Sequence, residues 1–194
     1  MSELATEPCL ASQTVGPFFH LGLAPDDRWR HVAGPHTSGE RIRLRLTIVD
    51  GDGRPIPDGL IEIWQADAQG RYPHPADPLA AEADPTFSGF GRSATNNEGV
   101  CEFETIMPGR VRDGRGGAQA SHINISLFAR GLLARLISRV YFADDPALAD
   151  DAILALVPES RRSTLIARRD QAMTGQWVHE IRLQGPLETV FFEV

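Results

Sequence analysis

The stretch Arg41–Val49 reads RIRLRLTIV, and this stretch decides the fold class. From residue 41 to 48 its apolar residues alternate with arginine and threonine, so an extended strand here has one apolar face and one polar face. The turn sequence Asp50-Gly51-Asp52-Gly53 follows directly, and glycines in such a pattern supply the positive φ angles of a tight turn. The sequence therefore predicts a half-buried β-strand that ends in a sharp reversal of the chain.

Further segments of the same kind follow, each bounded by glycine, asparagine, aspartate or proline. Predicted strands cover residues 60–65, 100–106, 122–128, 136–142, 177–183 and 189–194. Seven or eight short strands separated by such turns are typical of an all-β protein. We therefore expect a β-sandwich of about eight strands.

Three kinds of segment depart from this pattern. Residues 1–40 are rich in proline, glycine and histidine without a sustained period, which predicts an N-terminal arm lying along a surface. The sandwich domain then spans residues 41–194. Residues 145–170 predict a short helical insertion, with Pro146 in its first turn and a second helix over 163–169. The loops 72–88 and 108–120 are long, and long loops often carry function.

Composition excludes several classes of protein. The chain has 194 residues, with 19 basic and 26 acidic side chains and a formal charge of −7, so nucleic acid is not an expected partner. No run approaches the ~18 apolar residues of a membrane span, and the first residues do not have the basic start of a secretory signal. The two cysteines, Cys9 and Cys101, match no zinc or redox spacing and suit a reducing cytoplasm.

All 19 basic residues are arginine. Because the chain contains no lysine, a Schiff-base mechanism or a lysine general base is excluded. The sequence also contains no phosphate-binding loop, no dinucleotide fingerprint, no nucleophile elbow and no zinc-protease helix. The common catalytic motifs are therefore absent.

The segment HINISLFAR, residues 122–130, is the main candidate for a site. Alternation places five side chains on one face: His122, Asn124, Ser126, Phe128 and Arg130. This stripe faces a cleft in one interpretation, and in the other it is the solvated face of an edge strand. His122 has no ligand neighbour in sequence, and a metal site needs three or four converging ligands. The residues alone therefore predict no complete catalytic site.

Six motifs, in order along the chain, are specific to one family. They are SQTVGPFFH at 12–20, WQADAQGRY at 64–72, DPTFSGFGR at 84–92, TIMPGR at 105–110, SHINISLFARG at 121–131 and LISRVYFADDP at 136–146. Together they resemble the intradiol ring-cleaving dioxygenases over nearly the whole chain, from about residue 12 onward.

The resemblance is strongest to members built from two homologous subunits, α and β. In these members the β subunit holds a ferric ion through two tyrosines and two histidines, and phenolates are hard donors that suit Fe³⁺. The activity that the resemblance implies is cleavage of protocatechuate by O₂ to 3-carboxy-cis,cis-muconate. The active site then lies at the α/β interface.

The four ligand positions of the family fall on Leu79, Val111, His122 and Asn124 in this sequence. The first two side chains cannot donate to a metal, and a single neutral imidazole does not hold Fe³⁺. The resemblance therefore implies an α-type subunit that binds no metal or other cofactor. The Fe³⁺ is then bound by a homologous β subunit, and αβ units assemble further.

The resemblance also implies a set of substrate-binding residues in this chain. Arg130 falls where a cation meets the ring carboxylate of protocatechuate, and a guanidinium pairs with a carboxylate through two parallel bonds. Thr14, Gly16 and Pro17 of the arm fall beside the substrate pocket. The arm, residues 1–40, is then expected to pack on the partner subunit.

Two alternatives remain open at the level of sequence. In the first, the chain is a self-sufficient homo-oligomeric dioxygenase with displaced ligands, for example Tyr72 with His74 and His122. In the second, it is a β-sandwich binding module that has no catalytic role. A purified chain without the colour of tyrosinate-bound iron would exclude the first alternative. A partner chain that carries the intact ligand set would argue against the second.

Overall fold

Eight strands carry the fold in the computed structural model, which describes residues 11–16, 18–114 and 116–193. They are β1 Arg41–Val49, β2 Leu60–Trp64, β3 Phe90–Ala94, β4 Val100–Ile106, β5 His122–Phe128, β6 Leu136–Phe142, β7 Ile166–Arg169 and β8 Gln176–Arg182. Five of the six strands predicted after β1 are present, within a residue at each end.

The helices are all short. They are α1 Phe19–Leu23, α2 Glu159–Arg162 and the 3₁₀ helices Asp27–Arg30, Ala80–Glu82, Pro146–Asp150, Leu154–Leu156 and Ser163–Leu165. Within the described ranges, no helix has the length and apolar character needed to cross a membrane.

The strands follow the order β3-β2-β5-β6-β7-β8-β1-β4, so strands 3-2-5-6 form one half-sheet and 7-8-1-4 the other. Neighbouring strands are antiparallel except for β1 with β8 and β6 with β7. The two halves are joined only by the short β6–β7 pairing, at Tyr141 with Ile166 and Phe142 with Ala167. Their apolar faces pack against each other around one core, which confirms the predicted sandwich.

Strand β1 shows why the alternating pattern is decisive. Four alternating apolar residues, 42, 44, 46 and 48, are buried between the half-sheets, and Val49 at the end of the strand is also buried. Its arginines face outward, where Arg43 lies opposite Glu104 and Arg45 lies opposite Glu102 in the β1–β4 register. Both pairs form ion pairs, at 3.5 and 3.0 Å. The same alternation thus supplies the core on one face and cross-strand charge pairs on the other.

The second predicted helix, over residues 163–169, is wrong. Only Ser163–Leu165 forms a turn of 3₁₀ helix, and the chain then continues as strand β7. Ala167 of this strand is buried in the core, and β7 pairs with both β6 and β8. Tertiary pairing therefore overrides the weak helical spacing of four residues. The region before it is helical as predicted, but in separate short turns rather than one helix.

The predicted strand at residues 189–194 is also wrong within the described part of the chain, which ends at residue 193. The segment is extended but joins no ladder. It runs along β6, where the Phe192 N–H donates to the Ile137 carbonyl at 2.8 Å and the Ser138 hydroxyl donates to the Val190 carbonyl at 2.8 Å. Because β7 pairs only with the last residues of β6, this segment covers the rest of that strand's free edge.

Strand β3 has no equivalent among the predicted strands. Gly91 interrupts its pattern, and the packing explains why no side chain stands there. A Cβ at this position would lie 2.7 Å from a Val32 methyl and 2.9 Å from Ile63. The close approach of Val32 and Ile63 thus requires glycine at position 91. This glycine breaks the alternating pattern by which the strand would be recognised in the sequence.

Residues 18–40 contact the sandwich of their own chain. Val32 is buried in the core, the Phe19 ring lies 5.8 Å from that of Phe128, and the Trp29 ring lies 6.0 Å from that of Phe90. The boundary at residue 40 and the packing of the arm on a partner remain predictions.

Candidate functional site

The two long loops meet at a pair of glycines. Gly70 has φ +78°, and a Cβ there would collide with the Arg110 carbonyl. Gly109 approaches the other loop as closely, and its N–H donates to the Asp67 carbonyl at 2.8 Å. Only glycine allows this contact, so the motifs around residues 70 and 109 bring the two loops together.

Two carboxylates hold the conformation of the first long loop, residues 72–88, through hydrogen bonds to backbone N–H groups in and next to it. The buried Asp67 carboxylate accepts bonds from the N–H groups of Gln69, Arg71 and Asp84. The Asp77 carboxylate accepts from the N–H groups of residues 72 and 79, at 2.7 and 2.8 Å. These bonds set the direction in which the side chains of residues 72 and 79 project.

A cavity of about 550 Å³ lies between the loops. Trp64 and Tyr72 form one wall, with stacked rings 5.5 Å apart, and His74 meets Trp64 edge-on at 6.3 Å. Leu79 and Val111 line the same cavity. The structure thus brings together the two family positions that carry hydrocarbon side chains here, in an aromatic and apolar space.

His122 and Asn124 are not among the residues that line this cavity. Strand β5 is flanked by β2 and β6, so the interpretation of its polar stripe as the face of an edge strand is wrong. His122 is buried, and its Nδ1 lies 2.8 Å from the Ala120 carbonyl oxygen. The Asn124 amide donates to the Trp64 carbonyl at 3.3 Å and to the Tyr72 hydroxyl at 3.4 Å.

Arg139, which the sequence did not single out, completes this polar group. It lies directly opposite Asn124 in the β5–β6 register. Its guanidinium donates to the Gln119 side-chain oxygen at 2.6 Å and to the Tyr141 hydroxyl at 3.5 Å. The Tyr141 hydroxyl in turn donates to the buried Asp151 carboxylate at 3.1 Å.

The ionisation of these groups follows from their burial. Burial, with the nearby Arg139 charge, lowers the pKa of His122 from 6.5 to about 4, so the imidazole is neutral at pH 7. Burial raises the pKa of the Tyr72 phenol, against the opposing effect of Arg139. Burial also raises the pKa of Tyr141 to about 12. Both phenols are therefore protonated at neutral pH.

These residues do not fit a ferric ion. Leu79 and Val111 have no donor atom, and the Asn124 side chain is hydrogen-bonded to Trp64 and Tyr72. The positive charge of Arg139 lies near His122 and opposite Asn124, where it opposes the binding of a cation. The alternative ligand set of Tyr72, His74 and His122 requires a phenolate that burial opposes. In the described part of the chain, no three His, Cys, Asp or Glu side chains are grouped to hold a metal.

The other predicted site residues lie beyond the opposite end of β5. Asn124 and Phe128 are about 13 Å apart along the strand, and Arg130 follows. The Thr14 hydroxyl accepts a hydrogen bond from the Gly131 N–H at 2.7 Å, which brings the arm to Arg130. The Gly16 carbonyl accepts from the Phe19 N–H at 3.2 Å. Pro17 lies outside the described residues.

Arg130 is exposed on this surface. Its side chain is 57% accessible, and its Nε lies 2.9 Å from a carboxylate oxygen of Asp58. Large apolar side chains are exposed on the arm and shortly after Arg130, with Phe18 at 74% and Leu133 at 64%. Val15 of the arm and Leu133 line one small cavity of about 190 Å³. We call residues 13–16 and 18–21 together with 128–135 the arm surface.

Comparison with known proteins identifies the family. The family described as Dioxygenase matches residues 15–185. The chain is 40% identical to the protocatechuate 3,4-dioxygenase alpha chain of Burkholderia cepacia, over 94% of this chain and 96% of that one. It is 37% identical to the beta chain of the same species, over 83% of this chain and 67% of the other.

Solved structures show the same fold. Catechol 1,2-dioxygenase from Acinetobacter sp. ADP1 superimposes with a TM-score of 0.61 at 23% identity, covering 82% of this chain and 62% of that one. An intradiol ring-cleavage dioxygenase from Tetranychus urticae gives 0.60 at 21% identity, covering 94% of this chain and 98% of that one. From the family match and the identity to the alpha chain, the chain belongs to the intradiol dioxygenase family.

Proposed function

We propose that this chain is the non-iron-binding α subunit of a protocatechuate 3,4-dioxygenase. The family is iron-dependent, and the residues at the ligand positions of this chain do not fit iron. In this proposal a homologous β subunit binds Fe³⁺, and the two chains together cleave protocatechuate with O₂ to 3-carboxy-cis,cis-muconate. The 40% identity to named alpha chains from two species supports the assignment.

One observation carries the proposal. At the four ligand positions, two hydrocarbon side chains line a cavity, while an imidazole and an amide lie outside its lining and near the Arg139 cation. A chain with this arrangement and this family membership needs its metal from elsewhere. The 37% identity to a beta chain supports a homologous partner as the source of the metal.

The role proposed for this chain is to bind the substrate carboxylate at the subunit interface. Arg130 is exposed, and its planar guanidinium can pair with a carboxylate in bidentate fashion. The contact between Thr14 and Gly131 holds the arm next to it. The exposed Phe18 and Leu133 suit an interface that buries upwards of ~2,000 Å², as stable assemblies do.

The test is to express the chain alone and together with a β chain that has both tyrosines and the His-x-His pair. We expect the lone chain to be colourless, iron-free and inactive, and the co-purified complex to be coloured and to consume O₂ with protocatechuate. Iron and activity in the lone chain would overturn the proposal and favour the self-sufficient enzyme. A chain that never associates with such a β chain would favour the binding module.

Arg130→Ala tests the proposed role of the arginine. In the assembled enzyme we expect weaker protocatechuate binding, by about 2–5 kcal/mol if the carboxylate is buried against the guanidinium, with unchanged iron content. The measurement is steady-state kinetics on purified complex with iron quantified. Lost assembly with normal affinity in the remaining complex would instead show that Arg130 serves only packing.

A further inference from the structure

Asp58 has an unusual backbone conformation. Among the described residues, it is the only one besides glycine with a positive φ, at +57°. Aspartate tolerates this left-handed conformation better than most residues, but glycine would adopt it with no strain at all. The presence of aspartate at position 58 is therefore best explained by a contact that its side chain makes.

The turn that carries Asp58 is anchored to the sandwich. The buried Thr95 hydroxyl accepts from the Gly59 N–H at 2.8 Å and donates to the Ile56 carbonyl at 2.9 Å. The Thr95 N–H donates to the Gly59 carbonyl at 2.8 Å. Residues 56–59 are therefore tied on both sides of Asp58 to the end of β3, so the carboxylate projects from a fixed backbone.

The Asp58 carboxylate contacts Arg130. The Nε–Oδ2 distance is 2.9 Å, and the Asp58 side chain is only 22% accessible while that of Arg130 is 57% accessible. Within the described part of the chain this is the only ion pair of Arg130. The backbone next to Arg130 is held separately, through the bond from the Gly131 N–H to Thr14.

We propose that Asp58 is a positioning residue that holds the Arg130 guanidinium by its Nε side and so orients it toward the substrate carboxylate. This inference rests on the proposed function of Arg130. An arginine side chain has several rotatable bonds, and ordering it in advance removes part of the entropic cost of binding. In this arrangement Asp58 itself does not touch substrate.

The test uses two substitutions that leave the turn intact, in the assembled enzyme. Asp58→Gly removes the carboxylate at a position where glycine accepts the backbone conformation. Asp58→Asn keeps an acceptor oxygen of the same shape. We expect Asp58→Gly to raise the KM for protocatechuate about three- to tenfold with unchanged kcat, and Asp58→Asn to stay within about twofold of wild type.

Catechol, which lacks the carboxylate, serves as the matched ligand. Its inhibition constant should be the same in wild type and Asp58→Gly, since only carboxylate recognition is affected. Asp58→Gly should also add nothing when Arg130 is already alanine, because the two residues act through one contact. Thermal midpoints of the variant complexes verify that the fold is retained.

Three results would overturn the inference: an unchanged KM for protocatechuate in Asp58→Gly, an equal change for catechol, or a further loss on the Arg130→Ala background. If Arg130→Ala weakens protocatechuate binding while Asp58→Gly does not, only the positioning role fails. If Arg130→Ala itself leaves protocatechuate binding unchanged, the proposed function of the arginine fails first and the positioning role with it.

Discussion

At the scale of single residues, Arg139 places a positive charge beside the two β5 positions that correspond to the family's imidazoles. It lies directly across from Asn124, and directly paired residues have Cβ atoms about 5 Å apart. A trivalent cation bound through these positions would meet a like charge in a partly buried setting, where screening by water is weak. Replacing the missing ligands alone therefore does not recreate a metal site.

Rebuilding the ligand set tests this statement. The variant Leu79→Tyr, Val111→Tyr and Asn124→His should bind little iron, whereas the same variant with Arg139→Gln should bind more iron and show tyrosinate-to-iron absorbance. Metal content and the visible spectrum are the measurements. Arg54→Gln, a change at an exposed arginine remote in sequence, is the control and should not help. Stoichiometric iron in the triple variant would contradict the argument.

Two buried imidazoles make stability depend on pH. Burial lowers the pKa of His122 and of His179 from 6.5 to about 4. Between these values the unfolded chain binds protons that the folded chain does not. The free energy of unfolding therefore falls as pH falls from about 6.5 to 4, by up to about 1.4 kcal/mol per pH unit for each imidazole.

Urea unfolding at pH 7, 6 and 5 measures this slope. His122→Gln should flatten it by one imidazole's share, since the substituted side chain does not titrate. His36→Gln, at an exposed histidine, should leave it unchanged. A slope that survives intact in His122→Gln would mean that this imidazole is not held neutral by the fold.

The sequence predicts some of these residues and misses others for a physical reason. Leu79 and Val111 are found by resemblance because motifs flank them, and the two do line one cavity. Arg139 is one of 19 arginines, and no residue beside it in sequence marks it as part of a site. Its importance depends on which strand lies beside it, and the pairing of β5 with β6 in register is not visible in local sequence.

At the scale of elements, the sequence predicts the strands that have a regular apolar and polar pattern. It misses strands whose conformation is set by tertiary packing. β1 alternates over its first eight residues, so local sequence is enough to predict its conformation. β7 has four residues and exists because β6 and β8 lie on either side of it. β3 is not recognised in the sequence because Gly91 breaks its pattern, and the close packing around Gly91 leaves no room for a side chain.

The Thr95 hydroxyl makes two of the hydrogen bonds that hold the turn 56–59. Thr95→Val keeps the shape of the side chain but leaves the Gly59 N–H and the Ile56 carbonyl without their buried partner. We expect a loss of about 1–3 kcal/mol in the free energy of unfolding, measured in urea. Thr174→Val, at an exposed threonine, is the control and should change stability by much less. A neutral Thr95→Val would show that the turn is held by other contacts.

At the scale of the whole molecule, the arm surface carries three of the large exposed apolar side chains in the described part of the chain. Phe18, Leu21 and Leu133 are each more than half accessible. Exposed apolar surface marks interaction sites on soluble proteins. It lies next to Arg130, so one surface would serve both association and substrate binding in the proposed complex.

Charge introduced into this surface should prevent assembly. Phe18→Asp combined with Leu133→Asp should abolish co-purification with the β chain, because unpaired carboxylates would be desolvated at the interface. Size-exclusion chromatography with iron quantified in each peak is the measurement. Leu156→Asp, at an equally exposed leucine on a 3₁₀ turn, is the control. An assembly that tolerates the double change would place the interface elsewhere.

The parallel pairing of β1 with β8 has a consequence for biosynthesis. Arg43 pairs with Gln176, so these partners are separated by about 130 residues of chain. At a translation rate of about 5–20 residues per second, β1 emerges roughly 7–26 seconds before its neighbour exists. During that interval one edge of β1 has no partner strand, and late, long-range closure of this kind is slow. Until β8 is synthesised, this unpaired edge is open to pairing with other chains.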